Sequence, residues 1–116
     1  MTLSSGFSSS TYDINKYNLN YAPHFGMFKN IAGNDLIDQL KFMHDQGFIA
    51  IEDNGMKGKK IELQNKISSF LVKNNMQMGV FVAHKIHWNK PNLASGDLNR
   101  RKEFLKEIKE SVEVAK

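Results

Sequence analysis

Apolar and polar positions along the chain fall into a repeating order. Three short apolar runs each end on ionisable or amide residues: Leu19-Asn20-Tyr21-Ala22-Pro23-His24, Phe48-Ile49-Ala50-Ile51-Glu52-Asp53-Asn54 and Met78-Gly79-Val80-Phe81-Val82-Ala83-His84. A helical pattern follows each, so strand, polar tip and helix recur at intervals of roughly 30 residues. After Gly33, Leu36, Ile37, Leu40 and Met43 share one helical face, with Asn34 as the expected N-cap and Asp35 and Asp38 near the positive end of the dipole. Gly47 supplies the left-handed position that ends this helix, and Phe48 is the apolar residue that commonly follows such a cap. The second helix is predicted over about Ile61 to Lys73, with Ile61, Gln64, Ile67, Phe70 and Leu71 on its inner stripe and Asn74-Asn75 as its stop. A third begins near Asp97 or Asn99 and carries Phe104, Leu105, Ile108, Val112 and Ala115. That stripe is still running at Lys116 with no stop signal, which reads as a chain cut inside its third helix.

Such alternation predicts an α/β fold with a parallel sheet whose functional residues gather at the carboxyl ends of the strands. Three units leave a parallel sheet with both edges open, whereas a closed barrel needs about eight units and 250 residues and a flavodoxin-like sheet about five strands. The expectation is therefore the front part of a larger enzyme, marginally stable alone and prone to aggregate at its unpaired edges.

Composition narrows the classes. With 41% hydrophobic and 24% charged residues the chain has the balance of an ordinary globular domain. It contains no cysteine, which excludes disulfides, thiolate metal sites and thiol nucleophiles. No apolar stretch approaches the roughly 20 residues of a membrane span. The net charge of +4 resolves into Lys57, Lys59 and Lys60 after the second run and Arg100, Arg101 and Lys102 in the last helix. Glu103, Glu107, Glu110 and Glu113 make the latter a solvated face, and nothing resembles a nucleic-acid stripe. Residues 1–18 are small, polar and without period, and are read either as a disordered tail or as the end of an export signal whose charged and apolar parts lie upstream. The compartment is then cytoplasmic for the sequence as it stands and periplasmic with such a signal.

Candidate chemistry sits at the strand tips. His24, Glu52, Asp53, Asn54 and His84 should converge on one rim, where imidazoles and carboxylates bind hydroxylated substrates, move protons or ligate a divalent metal. The turn Gly55-Met56-Lys57-Gly58-Lys59-Lys60 lacks Walker spacing but offers Lys57 and Lys59 to a carboxylate or phosphate. His87 is read as a loop residue. Trp88, on the long loop 87–97, either walls the pocket or packs that loop down.

The segments Tyr21-Ala22-Pro23-His24-Phe25-Gly26-Met27-Phe28, Gly47-Phe48-Ile49-Ala50-Ile51-Glu52-Asp53-Asn54-Gly55-Met56 and Gly79-Val80-Phe81-Val82-Ala83-His84, with Trp88 and Leu93-Ala94-Ser95-Gly96-Asp97, resemble the hydroxypyruvate isomerase family. This family belongs to the xylose-isomerase-like TIM barrels, which also hold sugar epimerases and a metal-dependent DNA-repair endonuclease. The resemblance covers about residues 18–116. It implies that 19–116 is the first three βα units of a (β/α)8 barrel, incomplete at the C-terminus. It also implies a divalent metal ion (magnesium, manganese or similar) in the full-length protein and proton transfer between adjacent carbons of a hydroxy-carbonyl substrate through an enediolate. The family's metal ligands and two catalytic glutamates lie on later strands, so no catalytic or metal residue is assigned here. His24, Phe25, Glu52, His84 and Trp88 are carried over as substrate-binding residues. In the endonuclease branch the His84 position falls on a ligand of an additional metal.

His24 stands where the better-known isomerases have an amide, and Asp53-Asn54-Gly55 replaces their Phe-rich turn. The first reading is thus an isomerase of the hydroxypyruvate/tartronate semialdehyde type, inactive as this segment alone. The second is an epimerase or xylose-isomerase-like protein acting on a larger ketose. The third is a non-catalytic α/β module that completes its sheet by association. The expected partner is a small hydroxy-carbonyl or sugar substrate, without nucleic acid or membrane and with a homo-oligomer open.

Overall fold

A computed structural model describes residues 17–91 and 93–116. The expected tail lies outside the described residues except for Tyr17 and Asn18. Tyr17 belongs to the folded part, since its ring packs 4.8 Å from Phe48 and 5.6 Å from Tyr21.

A short helix, α1 (Lys29–Ala32), leads into α2 (Leu36–Asp45). The cap of α2 is Asp35 rather than the expected Asn34: its carboxylate accepts the amides of Ile37 at 2.8 Å and Asp38 at 3.1 Å. At the far end Gly47 adopts φ 89°, the Gly47 amide donates to His44 O, and the Phe48 amide donates to Met43 O. This pair of bonds is a Schellman cap, and it turns the chain directly into β1 (Ala50–Ile51). A 3₁₀ turn (Met56–Gly58) and α3 (Ile61–Lys73) follow. Asn75, at φ 53°, repeats the cap, with the Met76 amide on Leu71 O and the Asn75 amide on Val72 O. The chain then enters β2 (Gln77–Met78), a long loop with a 3₁₀ turn (Leu93–Ser95), and α4 (Leu98–Ala115), capped by Asp97.

The sheet is parallel. Ala50 pairs with Gln77 and Ile51 with Met78, and a single parallel bridge joins His24 to Glu52 on the other side of β1. Spatial order therefore follows chain order: first strand end, β1, β2. The strands are far shorter than the apolar runs predicted. Pro23 has no amide to give, so the first run contributes one carbonyl, accepting from Glu52 N at 3.1 Å. On the other side Gly79 N reaches Ile51 O at 2.7 Å and Val82 N reaches Asn54 O at 3.3 Å, while no strand lies beyond β2 among the described residues.

The core is small. Leu40 and Met43 of α2, Ile51 of β1, Met56, Ile67 and Leu71 of α3, and Met76 form one buried cluster. Each such side chain contributes about 1.5–3 kcal/mol by leaving water. Ile61, expected on the inner stripe, is exposed at the first position of α3, and the buried residues of that helix are Ile67 and Leu71. In α4 the inward face is Phe104, Ile108, Ser111 and Val114 rather than the purely apolar stripe. Leu105 and Val112 both remain 52% exposed. The rotation follows from polar contacts of Ser111 and Glu107 with the end of the third run, described below.

Candidate functional site

Parallel bridging of His24 to Glu52 sets two strand ends side by side. Their side chains project from the same end, with His24 Nε2 3.7 Å from Glu52 Oε1 and both groups partly open to solvent. The backbone around His24 is braced by its own turn: His24 N donates to Met27 Sδ at 3.3 Å. Gln39, fully buried in the apolar face of α2, braces it from below. Its Oε1 accepts Gly26 N at 2.7 Å while its Nε2 donates to Gly33 O at 2.9 Å, so the loop after the first strand is tied at both ends.

Gly79 lies against the backbone of β1 beside Glu52. A β-carbon at Gly79 would stand 3.2 Å from Ile51 O, a tight approach to the backbone, and 3.7 Å from Glu52 Cβ, in ordinary van der Waals contact. Phe25 is half-buried, with Lys59 Nζ 5.6 Å from its ring centroid, a cation–π distance.

Lys59 is committed to Asp53. That carboxylate is almost sealed (side chain 9% exposed), and Lys59 Nζ lies 2.7 Å from its Oδ2, with the lysine side chain 18% exposed. Oδ1 accepts Gly55 N at 3.0 Å, whereas Oδ2 receives no aligned donor, so the contact is an ion pair that compensates a buried charge. Lys57 is likewise engaged, donating to the carbonyls of Ala83 and Glu107, each at 3.0 Å, with Glu110 Oε2 3.5 Å away. Both lysines offered to an anion thus contact protein oxygens, Lys59 at Asp53 and Lys57 at the carbonyls of Ala83 and Glu107.

His84 makes its own contacts with the last helix and with its neighbour in the chain. Its ring meets Phe104 edge-on at 4.9 Å, and Nδ1 is 3.0 Å from Lys85 O. Trp88 neither walls the pocket nor packs the loop down: it stands 85% exposed. Among the described residues no group of three or more His, Asp or Glu is placed to hold a metal ion, and His24 with Glu52 supplies two donors without a third.

An open apolar cleft of about 380 Å³ lies away from this rim, along β2 between α3 and the end of α4. Leu71, Met76, Met78, Phe81 and Val114 line it, and none of the strand-tip polar residues reaches it. Sequence reasoning missed three groups that hold the rim: Gln39, Lys57 in its clamping role, and Ser111. Gln39 and Ser111 had a legible signal, a polar residue at a helix position whose neighbours one turn away are apolar. No protein-family model, curated protein or solved structure matches this chain.

Proposed function

We propose that this chain is the N-terminal part of a metal-dependent isomerase built as a xylose-isomerase-like barrel, interconverting hydroxy-carbonyl compounds of the hydroxypyruvate/tartronate semialdehyde type. The observation that carries the reading is the pairing of His24 and Glu52 on adjacent parallel strand ends, 3.7 Å apart and open to solvent. Strand neighbours in chain order joined by helices are those with which a barrel begins, and the first half of a doubly wound sheet shares that order.

Glu52 accepts hydrogen bonds from substrate hydroxyls, His24 bonds a neighbouring oxygen, and Phe25 offers an apolar face to the carbon chain. Together they hold the substrate so that adjacent carbons present their hydrogen in one orientation. The metal and the proton-transferring groups of such an isomerase belong to residues outside the described segments, and no step is assigned to them.

The test uses the product of the whole reading frame that contains these residues. Exchange of carbon-bound hydrogen with D2O is followed on hydroxypyruvate and on simple ketoses, with and without a chelator. Metal-dependent exchange is expected. Glu52→Ala should lower kcat/KM by about 10- to 150-fold, the loss of one charge-assisted hydrogen bond. A product that binds no divalent metal and exchanges no hydrogen refutes the reading; exchange on ketoses alone moves it to the larger-sugar alternative.

A second reading has its own observation. Val80 and Val82 are exposed beside the apolar cleft, the arrangement of a sheet that finishes its edge by association. A single defined oligomer with protected strand amides and no isomerase activity would favour it.

A further inference from the structure

The carbonyl oxygen of Ala83, one residue before His84, receives two side-chain donors from distant parts of the chain. Lys57 Nζ donates to it at 3.0 Å and Ser111 Oγ at 2.5 Å. The lysine comes from the 3₁₀ turn after β1, the serine from α4. The same two groups also reach Glu107 O, at 3.0 and 2.8 Å, so the single hydroxyl proton of Ser111 is shared between two carbonyls. With Glu110 Oε2 at 3.5 Å, the three ammonium protons of Lys57 have three acceptors. On the other side of His84, the Lys85 amide donates to Glu107 Oε2 at 2.7 Å. Residues 83 and 85 are therefore both pinned to α4, and His84 is the residue between the pins.

The ring of His84 reads this arrangement. Its edge rests on Phe104, and its Nδ1 lies 3.0 Å from Lys85 O. A carbonyl oxygen only accepts, so this contact is a hydrogen bond when Nδ1 carries the proton, and in that tautomer Nε2 keeps its lone pair. Lys85 O can hold that proton only while the backbone between 83 and 85 keeps its course.

We propose that Lys57 and Ser111 are positioning residues for His84: by pinning the backbone at Ala83 they hold the imidazole as the Nδ1–H tautomer, leaving Nε2 to accept a hydrogen bond from the hydroxyl of a small hydroxy-carbonyl substrate. The substrate half of this statement rests on the isomerase reading above. The positioning half does not.

The test is long-range proton–nitrogen NMR of the His84 ring at about pH 8, where a free imidazole is neutral. It is run on the full reading-frame product as wild type, Lys57→Met, Ser111→Ala and Ser111→Thr, beside KM and kcat for hydroxypyruvate. Wild type should show a single Nδ1–H pattern. Lys57→Met and Ser111→Ala should give mixed tautomers and a KM raised about 10-fold with kcat little changed, the loss of one substrate hydrogen bond. Ser111→Thr, which keeps the hydroxyl, should restore both. A wild-type Nε2–H pattern overturns the proposal, as does an unchanged tautomer and KM in the folded variants. Should Lys57→Met fail to fold, the Ser111→Ala and Ser111→Thr pair decides. If tautomers respond while wild type turns over no hydroxy-carbonyl compound, the positioning stands and the isomerase reading falls.

Discussion

Replacing Lys59 with methionine removes the one compensating charge that the described residues place against a carboxylate that water scarcely touches. Asp53 is 9% exposed at its side chain, its Oδ2 has no aligned hydrogen-bond donor, and Lys59 Nζ at 2.7 Å is its counter-charge. Breaking a buried ion pair from one side costs about 3–5 kcal/mol because the remaining charge is stranded. Lys59 retains 18% exposure, so water can reach the site once the ammonium is gone, which places the cost near the lower end, about 3 kcal/mol. Methionine keeps the stem against Phe25, and the lost cation–π contact accounts for only about 0.5–1 kcal/mol of that figure. A domain of this size holds roughly 5–15 kcal/mol in total. The loss corresponds to a fall in Tm on the order of 10–20 °C.

The double variant carries the diagnostic. Asp53→Asn keeps an oxygen for the Gly55 amide and removes the charge, so Asp53→Asn with Lys59→Met should be about 2 kcal/mol more stable than Lys59→Met alone. Urea unfolding followed by far-UV circular dichroism measures all three variants, with matching m-values as the check that the same surface unfolds. The reasoning is refuted if Lys59→Met lies within about 0.5 kcal/mol of wild type, or if the two substitutions simply add.

Gly79→Val should destabilise by about 1–3 kcal/mol in urea unfolding, since its β-carbon meets Ile51 O at 3.2 Å, whereas the exposed Val72→Ala should be nearly silent. Asp35→Ala should cost about 1 kcal/mol in thermal or urea melts by leaving the Ile37 and Asp38 amides uncapped, while Asn34→Ala, at the position expected from sequence to cap, should be nearly silent.

Helices were legible because their signals are local. The stop at Gly47-Phe48 and the stop at Asn74-Asn75 are written in residues that tolerate positive φ, and both form the bonds such residues permit. The cap of α2 slipped by one residue because Asn34 and Asp35 carry the same chemistry, and backbone direction chose between them. Strand length was not legible: an apolar run becomes ladder only where a neighbour offers matching amides, and Pro23 on one side and a bare edge on the other shorten it. At the rim, the meeting of His24 and Glu52 followed from the rule that parallel strands end together. Lys57 with Ser111 could not be foreseen, because their meeting point depends on how α4 rotates. That rotation places a serine inward and leaves Leu105 and Val112 in solvent.

The Schellman joints at 46–49 and 74–76 have a consequence for how such a chain can change over time. Each passes from helix to strand with no slack, so one inserted residue would move the following strand by one position and turn Ile51 or Met78 to the opposite face. The connection from β2 to α4 carries no such constraint between Ile86 and Gly96, where length can vary without touching the ladder. Insertions and exchanged segments will therefore survive in the loop before α4 and be eliminated at the two helix-to-strand joints.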